Sequence, residues 1–257
     1  MTRTYTLVNQ KGGVGKTTTA INLAAYLAKF GQRVLVVDLD PQANATSSLG
    51  VDKHTVQAGA YDALLNGEVP PSSILFNERL KLALLPSSPA LAGAEVELVD
   101  EMGREFRLKT ALESVDGKYD YILVDCPPSL GILTVNGLVA AKDGVLVPVQ
   151  CEYLALEGLG QLTQTIQRVQ SLLFPDLRVR GVILTMFDSR TNLSNDVVKE
   201  VNNHFPGQVF KTIVPRSIRL AEAPSYGLPI SAYAPTSVGA SAYESLVKEL
   251  LKGDRVK

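Results

Sequence analysis

The sequence predicts an α/β protein built on one mostly parallel, twisted sheet with helices on both faces. Three observations carry that expectation. Apolar runs of strand length alternate with longer segments of helical period. Several of the runs, such as Val34-Leu-Val-Val and Tyr121-Ile-Leu-Val, are continuous, as strands covered on both faces require. A glycine-rich segment stands at the first strand-to-helix junction, where a phosphate-cradling loop belongs.

The elements follow in order. Thr4 to Asn9 is the first strand, and Lys16 to Phe30 the first helix, with Ala20, Leu23, Ala24 and Leu27 on one stripe and Gly31 as its stop. Val34 to Asp38 is the second strand. Ala43 to Pro89 is the least regular stretch, expected to form loops and short helices around a strand at Leu80 to Leu85. Helical period over Glu95 to Val115 and Thr134 to Ala141 brackets a strand at Tyr121 to Asp125. Strands at Gly144 to Val149, Val179 to Met186 and Val209 to Ile213 alternate with helices at Glu157 to Leu173 and Leu193 to Phe205. Ala240 to Leu251 is the last helix, its inner stripe formed by Leu246, Val247, Leu250 and Leu251. No repeat, low-complexity tract or long Pro, Gly or Ser linker divides the chain, so residues 1–257 are expected to form a single domain.

Composition narrows the function. With 46% hydrophobic residues the chain can bury a core, which excludes disorder as its main state. The 25 Lys and Arg against 26 Asp and Glu give a net charge of −1, so any polyanion must be met by a local patch. Cys126 and Cys151 have no CxxC spacing, and His54 and His204 are the only histidines, which speaks against a zinc site or a disulfide framework and for a reducing, cytoplasmic setting. No run reaches about 18 apolar residues, and the first residues lack an apolar signal core. The expectation is a soluble, unsecreted protein.

The first strand leads into Asn9-Gln10-Lys11-Gly12-Gly13-Val14-Gly15-Lys16-Thr17-Thr18. Gly12, Gly13 and Gly15 permit backbone angles that aim successive N–H groups at phosphate oxygens, and the N-terminus of the next helix adds about half a positive charge. Lys16 can reach the β- and γ-phosphates of a nucleotide, and the Thr17 hydroxyl can take one position on an octahedral Mg²⁺. The spacing deviates from GxxxxGK[ST]: the first glycine is replaced by Gln10, and an additional lysine, Lys11, stands inside the loop. A dinucleotide fingerprint is disfavoured because its third glycine would fall on Thr18.

Two strands end in carboxylates on the edge where open α/β sheets bind ligands. Val34 to Val37 runs into Asp38-Leu39-Asp40-Pro41-Gln42, and Tyr121 to Val124 into Asp125-Cys126-Pro127-Pro128, which has the form of a Walker B segment. Asp125 is the candidate for holding Mg²⁺, Asp38 for supporting it through the outer shell, and Asp40 for orienting the attacking water. The competing reading, that each aspartate caps the turn after it, stays open on these residues alone.

The loop Lys11-Gly-Gly-Val-Gly-Lys-Thr-Thr18, Asp38-Leu-Asp-Pro-Gln with Asn44-Ala-Thr, and Val124-Asp-Cys-Pro-Pro-Ser together resemble the ParA/Soj chromosome- and plasmid-partitioning ATPases within the wider ParA/MinD group. The resemblance continues through Pro148-Val-Gln-Cys-Glu-Tyr153, Ala155-Leu-Glu-Gly158, Leu184-Thr-Met-Phe-Asp-Ser-Arg190-Thr-Asn192 and Ile213-Val-Pro-Arg-Ser-Ile-Arg219-Leu-Ala-Glu-Ala-Pro-Ser225. It implies an ATP- and Mg²⁺-dependent homodimer in which Lys11 reaches the partner's phosphates, as an arginine finger does elsewhere. It also implies that Pro215, Arg216 and Ser217 lie near the adenine, that the ATP-loaded dimer binds double-stranded DNA without sequence preference, and that a ParB-type centromere-binding protein stimulates hydrolysis. The setting it implies is the cytoplasm, in association with the nucleoid.

The residues give that DNA role a modest match. From Arg178 to Arg219 the local charge is +4, leaving −5 for the remainder. Arg190 and Arg219 match DNA-contacting arginines of the family, with Lys199 and Lys211 as further candidates. No helix-turn-helix precedes the phosphate loop, so reading of a specific operator is not expected. A MinD-like membrane ATPase would need a C-terminal amphipathic helix, which Gly253 to Lys257 is too short to supply, so no membrane partner is expected. A nitrogenase-reductase-like iron–sulfur carrier would need Cys126 for a cluster, whereas a small buried residue suits that position. A metabolic ligase using ATP to activate a carboxylate shares the same loop and differs by its dependence on a small substrate.

Overall fold

The computed structural model describes residues 2–152 and 155–254. Tyr153 of the quoted block and residues 255–257 of the tail lie outside the described residues. The strands are β1 (Arg3–Leu7), β2 (Val34–Asp38), β3 (Leu75–Asn77), β4 (Leu82–Leu85), β5 (Tyr121–Asp125), β6 (Gly144–Gln150) and β7 (Val179–Thr185). They form one sheet in the order β3-β4-β2-β5-β1-β6-β7, parallel throughout except for the antiparallel edge pair β3–β4. The longer helices are α1 (Lys16–Lys29), α6 (Ile132–Ala140), α7 (Ala155–Leu172), α8 (Asn192–His204) and α11 (Val238–Asp254). Shorter ones are α2 (Asn44–Ser48), α3 (Ala60–Asn66), α4 (Leu91–Glu97), α5 (Arg107–Glu113), α9 (Ile218–Glu222) and α10 (Ile230–Tyr233).

Alternation along the strands sorts the core into two layers. Leu35 and Val37 of β2 pack with α3, α5 and α6 on one face, while Val34 and Val36 pack with α1 and α11 on the other. Registers fix what arrives at the top edge: Leu7 of β1 and Asp38 of β2 both stand beside Asp125 of β5. The α6 helix approaches that strand closely, because Gly137 has no side chain. A Cβ there would lie 2.4 Å from Cys126 Sγ, and the Gly137 carbonyl accepts the Thr6 hydroxyl at 2.6 Å.

Three expectations are corrected. Val209 to Ile213 is not a strand: it meets β7 only at the Val182–Val209 bridge and neighbouring bonds, because the Glu249 carboxylate takes the amides of Lys211 and Thr212 at 2.8 and 3.0 Å. Glu95 to Val115 is not one helix but α4, two 3₁₀ turns and α5, broken at Gly103, whose φ is 68°. Within 43–89 an additional strand, β3, caps the sheet edge.

Candidate active site

The glycine loop hangs between β1 and α1 and is tied down on both sides. Asn9 donates through Nδ2 to the Pro148 carbonyl at 2.8 Å, while its Oδ1 accepts the Lys11 amide at 3.0 Å. Thr185, at the end of β7, donates its hydroxyl to the Val14 carbonyl at 2.8 Å. Gly13 and Gly15 take φ of 75° and 87°, the left-handed region that glycine enters without strain. A Cβ on Gly12 or Gly13 would meet nothing within 4 Å, and both glycines line an open cleft. Lys16, 7% exposed, bridges the loop by donating to the Lys11 carbonyl at 3.2 Å. Burial lowers its ammonium pKa, against the pull of Asp125 and Asp40 nearby.

Below the loop, Thr17 donates its hydroxyl to Asp125 Oδ2 at 2.6 Å. The other oxygen of that carboxylate, Oδ1, is buried with no hydrogen-bond partner. Burial, and then the neighbouring Asp38, pushes the Asp125 carboxyl up to about 8. An unpartnered buried carboxylate oxygen beside a threonine hydroxyl is a fitting pair of ligands for Mg²⁺. Among the described residues no group of three or more His, Cys, Asp or Glu could hold a metal alone, so phosphate oxygens and water would complete the sphere.

Asp38 stands beside Asp125 across the β2–β5 pair. Its Oδ2 accepts both the amide and the hydroxyl of Thr46, at 2.8 and 2.7 Å, and its Oδ1 accepts the Asp40 amide at 3.2 Å. Its carboxyl, pushed up to about 6 chiefly by burial, is taken up with shaping the loop that carries Asp40. Asp40 lines the cleft, with its own Oδ1 accepting the Gln42 amide at 2.9 Å and its carbonyl accepting the Ser87 hydroxyl at 2.8 Å. Thr46 and Ser87 therefore belong to the site's framework. No local pattern singles them out as such, although Thr46 lies inside the Asn44-Ala-Thr block.

The loop, α2 and Asp40 enclose a cleft of about 330 Å³, open to solvent. Gly15, Thr18 and Met186 are shared with a second, mainly apolar cleft of about 280 Å³. Pro215, Arg216 and Ser217 form part of its wall, so the structure brings that segment beside the phosphate loop, where a base attached to bound phosphates could enter. Cys126 is buried against Gly137, its thiol pushed well above its usual range by burial.

The basic candidates sit on several elements, and three of them pair with acids close in sequence. Arg190, with 84% of its side chain exposed, pairs with Asp188 at 2.6 Å beside Arg216, which pairs with Glu152 at 3.1 Å. Arg219, 61% exposed, pairs with Glu222 at 2.9 Å on α9, and Lys199 with Asp196 at 3.7 Å on α8. Lys211 lies apart, sharing a cleft with Arg180 and Lys252 alongside the lower part of β7. The charge of the 178–219 segment is thus partly answered by acids from elsewhere, including Glu152, Glu222 and Asp254. No helix among the described residues is long and apolar enough to cross a membrane.

Comparison with known proteins gives consistent likenesses. A family profile described as an AAA domain matches residues 2–179. The chain is 54% identical over 256 residues to the chromosome partitioning protein ParA of Myxococcus xanthus, covering 99% of this chain and 90% of that one. It is 52% identical over 255 residues to the chromosome-partitioning ATPase Soj of Treponema pallidum, covering 99% of both. Among solved structures, one described as cobyrinic acid a,c-diamide synthase from Mycobacterium smegmatis with bound ADP and magnesium superposes with a TM-score of 0.88 at 41% identity, covering 100% of this chain and 96% of that one.

Proposed function

The chain belongs to the ParA/Soj family of chromosome-partitioning ATPases, and on that premise we propose that it hydrolyses ATP and that its nucleotide state gates nonspecific binding to double-stranded DNA. The observation that carries the nucleotide half is the Thr17–Asp125 pair with its unpartnered Oδ1, set directly under an open glycine cradle. Lys16 and the loop amides hold the phosphates, and Thr17 and Asp125 hold the magnesium ion. That ion, when bound, neutralises charge on the phosphoryl oxygens. Asp40 orients the water, and Asp38 keeps Asp40 in place. Lys11 completes a second copy's site, so hydrolysis is slow until the chain dimerises.

Arg190 and Arg219 supply phosphate contacts to DNA, and a dimer doubles them. Their exposure supports this role, and surface pairs such as Arg219–Glu222 are weak enough to be exchanged for a phosphate. A ParB-type protein stimulates hydrolysis and so releases the protein from DNA, which makes it nucleoid-associated only while ATP is bound. A second reading, an ATP-using metabolic ligase, is favoured by the likeness to the structure described as a diamide synthase.

The experiment is binding to random-sequence duplex without nucleotide, with ADP and with ATP and Mg²⁺, at two salt concentrations, using Asp40→Ala to suppress turnover. Tight, salt-sensitive binding only with ATP is expected. Normal ATP binding with no DNA binding in any state would overturn the reading, and turnover that required a small carboxylate substrate would establish the ligase.

A further inference from the structure

Two segments far apart in the chain border the nucleotide cleft and touch each other through a pair of glycines. Asn44 and Ser48 of α2 line the cleft, and so does Pro224 of the 3₁₀ turn Ala223–Tyr226 that continues α9. Gly50 follows α2 with φ 83°, and Gly227 closes the turn with φ 64°. Their backbones are packed against one another: a Cβ on Gly227 would lie 2.7 Å from Gly50 Cα and 3.1 Å from its nitrogen. A Cβ on Gly50 would meet nothing nearer than the Gly227 carbonyl oxygen at 3.5 Å, an ordinary contact.

Each side of this joint is firmly built. On the α2 side, Thr46 is bonded to Asp38, whose Oδ1 holds the Asp40 amide. On the other, Glu222 Oε2 accepts both Arg219 Nη1 at 2.9 Å and the Tyr233 hydroxyl at 3.0 Å, and Tyr226 stacks on Tyr233 with centroids 4.9 Å apart. The turn, α9 and α10 are therefore braced to one another, and Arg219 is carried along.

We infer that the Gly50–Gly227 contact is the joint through which occupation of the nucleotide cleft sets the position of α9 and hence of Arg219. This rests on the DNA-binding reading above and names its regulation. Nucleotide bound against Asn44, Ser48 and Pro224 shifts α2 relative to the turn, and with no side chain to cushion them the two backbones transmit the shift directly. Coupling of this kind is reciprocal, so DNA held by Arg219 tightens the grip on ATP.

The test compares DNA affinity with AMPPNP against that with ADP, in the unsubstituted chain and in Gly50→Ala, Gly227→Ala and Tyr226→Ala. The ratio is expected to be about tenfold or more in the unsubstituted chain and to fall to within about twofold of unity in Gly227→Ala. Gly50→Ala carries the same left-handed backbone cost without the collision and should keep the ratio. Equal loss in both glycine variants would assign the effect to backbone strain and overturn the inference. An unchanged ratio in Gly227→Ala would also overturn it. Should Gly227→Ala fail to fold, Tyr226→Ala, an exposed position whose loss unbraces the turn, decides: a reduced ratio supports the joint and an unchanged one removes it. No DNA binding by the unsubstituted chain with either nucleotide would instead remove the DNA-binding reading, and this inference with it.

Discussion

Thr46 grips Asp38 twice, its amide and its hydroxyl both donating to the same carboxylate oxygen, at 2.8 and 2.7 Å. The hydroxyl oxygen also accepts the Ser87 amide at 2.9 Å, so one small side chain joins the ends of β2 and β4. Replacing it with valine keeps the shape but leaves a buried amide without an acceptor and a buried carboxylate one bond short. Thr46→Val should cost about 1–3 kcal/mol in denaturant unfolding. Because Asp40 hangs from Asp38, turnover should fall more than nucleotide affinity does.

The two lysines of the loop should separate in their effects. Lys16 is buried against the loop it bridges, whereas Lys11 is half-exposed at its outer lip. Lys16→Ala should abolish nucleotide binding measured by fluorescent ADP. Lys11→Ala should bind ADP normally yet lose roughly 100-fold or more in turnover, the scale of removing one preorganised transition-state contact. Normal hydrolysis by the Lys11 variant would remove it from the mechanism.

Asp40→Ala should bind ATP but not turn it over, and light scattering behind a sizing column should then find a stable dimer with ATP and a monomer with ADP. A monomer in both would separate ATP binding from dimerisation.

Burial, and then Asp38, pushes the Asp125 carboxyl from its ordinary 3.8 up to about 8. Between those values the native state holds a proton that the unfolded chain has released, so apo stability declines as pH rises from about 4 to about 8. Asp125→Asn, which cannot ionise, should flatten that decline and melt higher than the parent at pH 8 without metal, while losing Mg²⁺-dependent hydrolysis. A steeper decline in the variant would contradict this. For the same reason the parent should release a proton on binding Mg²⁺ with nucleotide below pH 8, readable by calorimetry in buffers of different ionisation enthalpy.

Reversing charge at the exposed arginines should weaken DNA binding without disturbing the nucleotide site. Arg190→Glu and Arg219→Glu should each lower affinity for random duplex and make its salt dependence shallower, by a slope of about 1 for each DNA phosphate no longer neutralised. Lys211→Glu, beside Glu249 and away from Arg190 and Arg216, should do less. ATP-driven dimerisation should be unchanged in all three.

Much of this architecture can be read from the chain because its central strands are unambiguous. Val34–Asp38 and Tyr121–Asp125 are buried on both faces and end in the buried acids beneath the site. The misreadings have local causes. Val209 to Ile213 alternates like a strand, but Glu249, nearly forty residues later, satisfies two of its amides. Val96, Val99 and Met102 lend the 95–115 stretch a helical period, yet in the fold they face solvent. Leu75–Asn77 is too short to show a period at all. At the site, the loop lysine and the threonine–aspartate pair follow from spacing. The grip of Thr46 on Asp38 and the support of Val14 by Thr185 join residues that only the folded sheet brings together.

The strand order has a consequence for synthesis. β1 lies between β5 and β6, and Arg3 at its start pairs with Tyr121. The segment that carries the phosphate loop is therefore made well over a hundred residues before β5 and further still before β6, the two strands that flank it. Until β5 and β6 are made, the buried strand β1 and its lysine-bearing loop lack their sheet partners, the condition in which nascent chains aggregate or are captured by chaperones. A chain stalled before β6 therefore cannot build the nucleotide site, and the Thr185 support and the wall at Pro215 to Ser217 come later still.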